Sequence, residues 1–215
     1  MRTISLCLLT ILCLLLAVAP AMADTLYSNG PFDGNTWAWP INFGFSVSDS
    51  FEVPPYSNIM YLDFVYFKVP GTGPLATVDM AIGSTPFGTD GFFGTLTDVS
   101  NTYLGTNQFG YEVFQAEFWV GFIPWSGDGF ITLSNASESY GGVYWDQNSG
   151  IGCPSPGCPS TAYASDVGSI PSESFTLTGW GGGWGTTPEP SSILLFGSGI
   201  LGLAGVLRRK LNIHL

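Results

Sequence analysis

Across residues 42–53 the side chains alternate. Phe43, Phe45, Val47, Phe51 and Val53 fall on one face, and Asn42, Gly44, Ser46, Ser48, Ser50 and Glu52 on the other, with Asp49 the exception. A period of two marks a strand with one buried and one wet face, as in antiparallel sheets. Ala76, Val78, Met80 and Ile82 repeat it, as do Phe114, Ala116, Phe118, Val120 and Phe122. Residues 59–69 are apolar on both faces except for Asp63 and Lys68, which predicts a central strand. Shorter strands are predicted at 92–99, 130–133, 142–145 and 174–178. Pro54-Pro55, Pro70-Gly71, Asp90-Gly91, residues 107–110, Gly127-Asp128-Gly129 and Gly141-Gly142 carry the turn chemistry between them. Roughly seven to nine short strands with frequent turns predict an all-β fold, an antiparallel β-sandwich of jelly-roll type.

Two stretches break this pattern by being apolar throughout. At the amino end, Arg2 precedes an apolar run over residues 4–19, and Ala21-Met22-Ala23 forms a small-x-small site. This reads as a signal peptide, residues 1–23, cleaved between Ala23 and Asp24, with an uncleaved anchor as the alternative because the run is slightly long. At the other end, residues 191–207 carry no charge and are just long enough to cross a bilayer core of about 30 Å as a helix. Arg208, Arg209 and Lys210 follow at once. Basic clusters beside apolar spans stay cytoplasmic, so both ends point inward and the segment between them lies outside. The string Gly197-x-Gly199-x-x-Gly202 follows no strand and lies within the span, so it reads as small-residue helix packing, not a dinucleotide site. The organisation is therefore a signal peptide, an exported β domain at 24–178, a Gly/Trp-rich linker at 179–187 and a tail at 188–215.

Charge narrows the partners. The exported part holds one basic residue, Lys68, against all sixteen carboxylates, a formal charge of −15. Such a surface repels phosphate backbones, which excludes nucleic acid. Calcium is favoured in principle, since carboxylate oxygens are its preferred ligands, and a structural calcium at Asp146 or other loop carboxylates is one reading; no other cofactor is expected. Cys7 and Cys13 leave with the signal peptide, and a large residue precedes each where a lipoprotein signal has a small one. Cys153 and Cys158 remain, in Cys-Pro-Ser-Pro-Gly-Cys. Zinc would need two more ligands, and the domain has no other Cys and no His. The pair reads as a local disulfide, with free thiols the alternative.

Pro188-Glu189-Pro190 stands immediately before the apolar span, its prolines holding the tripeptide extended. Pro-Glu-Pro, an apolar helix rich in Leu and Gly, then a basic cluster: this order resembles the PEP-CTERM sorting signal of exopolysaccharide-producing bacteria, with residues 211–215 a small departure. The resemblance implies export through the Sec translocon and a transient anchor in the inner membrane. An exosortase, a membrane-embedded cysteine protease or transpeptidase, then removes the tail. It also implies a final place in the periplasm, at the cell surface or outside the cell. The alternative is a plain single-span anchor. Residues 26–31, 41–51, 144–150 and 170–175 are further similar to exported domains of PEP-CTERM proteins, for which no enzymatic activity is implied.

No His or Arg lies between Asp24 and Pro190, so a Ser-His-Asp or Cys-His machine has no base. A two-carboxylate glycosidase needs only acids at about 5–9 Å, but Glu112 and Glu117, five residues apart on one strand, face opposite sides. No enzyme is expected. Seven tryptophans suit stacking on sugar rings, and Tyr144, Trp145, Asp146 and Asn148 form the best candidate glycan-binding cluster. The readings are thus an exported, exopolysaccharide-associated structural protein or a displayed carbohydrate-binding module.

Overall fold

A computed structural model describes residues 23–33, 37–97, 99–138 and 141–181. The chain divides after Gly182, and every described residue belongs to the first unit, Met1–Gly182. The predicted leader, sorting motif, tail helix and basic cluster lie outside the described residues. Among the described residues there is no helix, hence none long and apolar enough to cross a membrane.

The strands are β1 (Asp24–Ser28), β2 (Ala38–Pro40), β3 (Ser46–Lys68), β4 (Thr77–Gly83), β5 (Phe92–Leu96), β6 (Ser100–Thr106), β7 (Glu112–Ser137), β8 (Val143–Asp146), β9 (Ala162–Ala164), β10 (Gly168–Ile170) and β11 (Phe175–Trp180). They join in one large sheet whose spine runs β1-β11-β3-β7-β4-β5. Off this spine, β6 pairs with β7, β8 and β9 with β3, β2 with β8 and β10 with β9. All pairs are antiparallel. The all-β, antiparallel expectation holds.

Strand lengths differ from the expectation. β3 has 23 residues and β7 has 26, and they pair along nearly their whole length. Pro54-Pro55, which reads as a turn, is instead a bulge. Residues 54–56 stand opposite Ser126 alone, Tyr56 turns the corner at φ 59°, and its N–H donates to Ser126 Oγ at 2.7 Å. Proline cannot donate to a ladder, but a bulge has no ladder bond to lose there. A second bulge compensates on the other strand, where residues 120–122 face Met60 and Gly121 takes φ 95°. Gly127-Asp128-Gly129 likewise lies within β7, opposite Val53, Glu52 and Phe51. The second bulge also breaks the alternation, which explains why Phe122 is exposed beside Trp119 while Phe118 and Val120 are buried. Phe43 and Phe45 precede β3 in a turn and are exposed too. The predicted linker begins later than expected, since β11 continues through Trp180.

Beyond the bulges the partners change. The first part of β3 pairs with the second part of β7 and with β9; the rest of β3 pairs with β11, β8 and the first part of β7. One buried cluster draws on both parts, with Val47, Phe51, Ile131 and Leu133 from one and Leu62, Phe64, Phe118 and Leu177 from the other. Tyr27 of β1 meets Phe51 at 6.4 Å between ring centroids. A smaller cluster, Val65, Phe67 and Val113, lies apart from this core. Lys68, nearly fully buried, pairs with Glu112 at 2.6 Å, donates to the Thr72 carbonyl at 2.6 Å and lies over Phe114.

Candidate functional site: a buried acid cluster and an aromatic groove

β8 is four residues long, and its alternation sends neighbouring aromatic side chains to different places. Trp145 turns into the core, against Phe64 at 5.9 Å and Phe175 at 5.8 Å, and its indole N–H donates to the Ser174 carbonyl at 2.9 Å. Tyr144 is half-buried and packs with the smaller cluster around Phe67. Asp146 and Asn148 are completely buried. Asn148 works as a clamp: its amide nitrogen donates to the Asn29 carbonyl at 2.7 Å and its Oδ1 accepts the Gly150 N–H at 3.0 Å. The glycan cluster expected from Tyr144, Trp145, Asp146 and Asn148 is therefore corrected. An indole with no accessible surface cannot stack on a sugar, and only Tyr144 faces a surface cavity.

The residues around Trp145 instead form a polar knot beneath the surface. Asp49, the exception in the first alternation, points inward and is fully buried. Its two oxygens accept the backbone N–H groups of Glu173 at 2.7 Å and Ser50 at 2.8 Å. Glu173 and Asp146 are equally buried, and none of their carboxyl oxygens has a hydrogen-bond partner. Burial pushes Asp49 up to about 7, against the two backbone donors that hold it down. Burial likewise pushes Asp146 up to about 7, moderated by the nearby Ser174 hydroxyl. Glu173 is raised well above the usual carboxylate range, first by burial and then by the charges of Asp49 and Asp146. Lys68, the one basic side chain among the described residues, is engaged by Glu112. Nothing positive meets these acids, and unpaired buried charge is far more costly than a retained proton. Among the described residues no three His, Cys, Asp or Glu side chains are arranged to hold a metal ion.

A second acid pair escaped the sequence reasoning. Glu117 stands directly across from Asp63, and Asp63 is pushed up to about 6, chiefly by burial and then by Glu117. Glu112, the other candidate acid, lies instead opposite Lys68.

The surface cavity beside Tyr144 has a volume of about 270 Å³. Ala38, Phe67 and Tyr144 come from β2, β3 and β8, Trp37 directly precedes β2 and Tyr111 directly precedes β7. The hairpin between β6 and β7 contributes Asn107 and Phe109. That hairpin is locked, because Asn107 Oδ1 accepts the N–H groups of Phe109 and Tyr111, both at 3.0 Å, and Gly110 turns the chain at φ 84°. Tyr111 and Tyr144 meet edge to face at 5.9 Å. No lining residue is charged. The sequence signal was the isolated Trp37 and the Asn-x-x-Gly turn, which became a site only once the strands were paired.

Cys153 and Cys158 form a disulfide with Cα atoms 6.1 Å apart. Its loop is also held by Ser155 Oγ, which accepts the Ser28 N–H at 2.7 Å. Replacing both cysteines with serine is expected to lower unfolding stability by about 2 kcal/mol or less, since so short a loop restricts the unfolded chain little. Urea unfolding of the double variant measures this directly.

Residues 186–210 match the PEP-CTERM protein-sorting motif. The match includes Pro188, Glu189 and Pro190, the apolar run, and the basic cluster through Lys210. No curated protein matches the chain.

Proposed function

We propose that this protein is an exopolysaccharide-associated structural component of the bacterial surface or matrix, delivered by exosortase processing of its tail. The carrying observation is the sorting motif at 186–210, which marks an exported protein handled by an exosortase. A signal peptide ending at Ala23 would feed the Sec translocon, and the segment 191–207 would hold the inner membrane until cleavage. The folded sheet reads as a two-layer sandwich, since one core draws on both parts of it. A disulfide suits an oxidising compartment. The absence of His and Arg from residues 24–190 favours a non-enzymatic role, with no cofactor required. A second reading, a displayed carbohydrate-binding module, draws its support from the uncharged aromatic groove.

The test is to replace Pro188, Glu189 and Pro190 with alanine in the full chain and express it beside an exosortase. The change lies beyond β11, which ends at Trp180, and outside the described strands. Wild type is expected to lose the Arg208-Arg209-Lys210 end, seen by intact-mass spectrometry, while the variant keeps it and stays with the membranes. A wild-type protein that retains its basic end in the presence of the enzyme reduces the tail to an anchor.

A further inference from the structure

We infer that the groove bounded by Trp37, Phe109, Tyr111 and Tyr144 binds neutral polysaccharide, one or two sugar rings at a time. This rests on the displayed carbohydrate-binding reading, moved to residues that solvent can reach. Trp37 is 79% exposed and Phe109 64%, so each offers an aromatic surface that the fold leaves uncovered. The lining residues also carry hydrogen-bonding groups: the Trp37 indole N–H, the two tyrosine hydroxyls and the amide nitrogen of Asn107. An apolar surface edged by such groups complements a pyranose, whose C–H faces are apolar and whose hydroxyls form its rim.

Charge selects among polymers. The lining is uncharged within a domain of formal charge −14, so an anionic chain is repelled and a cationic one is drawn to the acidic surface at large, not to this groove. A neutral chain is left. The volume of about 270 Å³ falls just below the ~300–1,000 Å³ of sites that enclose a drug-sized ligand, and suits a short stretch of a longer polymer. The locked Asn107–Tyr111 hairpin fixes the backbone at Phe109 before binding, so little main-chain ordering remains to oppose it. Each contact is weak, and affinity is expected to grow with polymer length because one chain offers many equivalent stretches.

The full chain, held in a non-glycosidic zwitterionic detergent, is run through native gels containing soluble β-glucan, mannan, galactan or xylan, with alginate as the anionic arm. Retardation is expected in at least one neutral gel, insensitive to salt, absent in alginate, and weakly relieved by the corresponding monosaccharide. Trp37→Ala and Phe109→Ala are each expected to weaken it roughly fivefold. Trp119→Ala, an exposed tryptophan outside the groove, leaves it unchanged. Silence across all neutral gels, retardation that survives both groove variants, or equal loss in Trp119→Ala overturns the inference. Failure here leaves the exosortase reading intact, because that stands or falls on the mass of the carboxyl end.

Discussion

Trp145→Ala is expected to destabilise the domain by about 3–5 kcal/mol, the range for removing a buried Trp or Phe from a core. The indole touches Phe64 and Phe175 and satisfies the Ser174 carbonyl, so its loss leaves both a void and an orphaned acceptor. Trp145→Phe keeps most of the volume and removes the donor. Its expected loss is about 1–3 kcal/mol, the penalty of one unsatisfied buried carbonyl. Urea unfolding of the two variants separates the contributions. A Trp145→Ala protein with a wild-type midpoint would contradict the packing and return this residue to the surface. The outcome also bears on carbohydrate binding, since any loss of glycan affinity in Trp145→Ala accompanies loss of fold and cannot locate a sugar.

Stability is expected to fall as pH rises from about 4 to 8, opposite to the usual trend for proteins rich in paired carboxylates. Asp49 and Asp146 hold their protons to about 7 in the folded chain, and Glu173 holds its own above the usual range. Unfolded, all three titrate near 4. Between those values the folded state binds more protons than the unfolded one, so raising pH favours unfolding. The benefit is complete below about pH 4 and is lost as pH climbs through the folded values. Each unit corresponds to about 1.4 kcal/mol, and coupling within the cluster makes the total on the order of several kcal/mol. Asp63, pushed up to about 6, adds a smaller effect of the same sign. Self-repulsion of the acidic surface acts in this direction too, so variants are needed to isolate the knot. Glu173→Gln and Asp146→Asn mimic the protonated forms and are expected to flatten the slope and raise stability at pH 8. Asp49 is the wrong choice, because asparagine has one acceptor oxygen for its two backbone donors. Unfolding midpoints at pH 4.5, 6 and 7.5 decide the matter; stability that rises with pH would mean that the acids are ionised and compensated.

Asp49 shows how much of this was legible in advance. It is the one residue that breaks the alternation of 42–53, and it is the acid of that stretch that the fold buries. Val78, Met80 and Ile82, and Ala116, Phe118 and Val120, took the buried face their spacing assigns. Proline and glycine misled, because a bulge and a turn use the same residues and only the partner strand distinguishes them. β6 carried no signal, being a mostly exposed strand paired on one side only. The groove was illegible for another reason. Trp37, Phe109 and Tyr144 are distant in sequence, and antiparallel pairing alone brings them together. Alternation within β8 does assign Tyr144 and Trp145 to opposite faces, so grouping them as one site overlooked the strand's own period.

β1 and β11 run antiparallel with Asp24 opposite Gly179, so the chain enters and leaves the domain side by side at one end of the sheet. Tension applied between these two neighbouring ends would separate the strands like a zipper, breaking rungs singly. A load carried by the end of β11 alone would instead act lengthwise between β1 and β3, where the rungs on both of its edges resist at once.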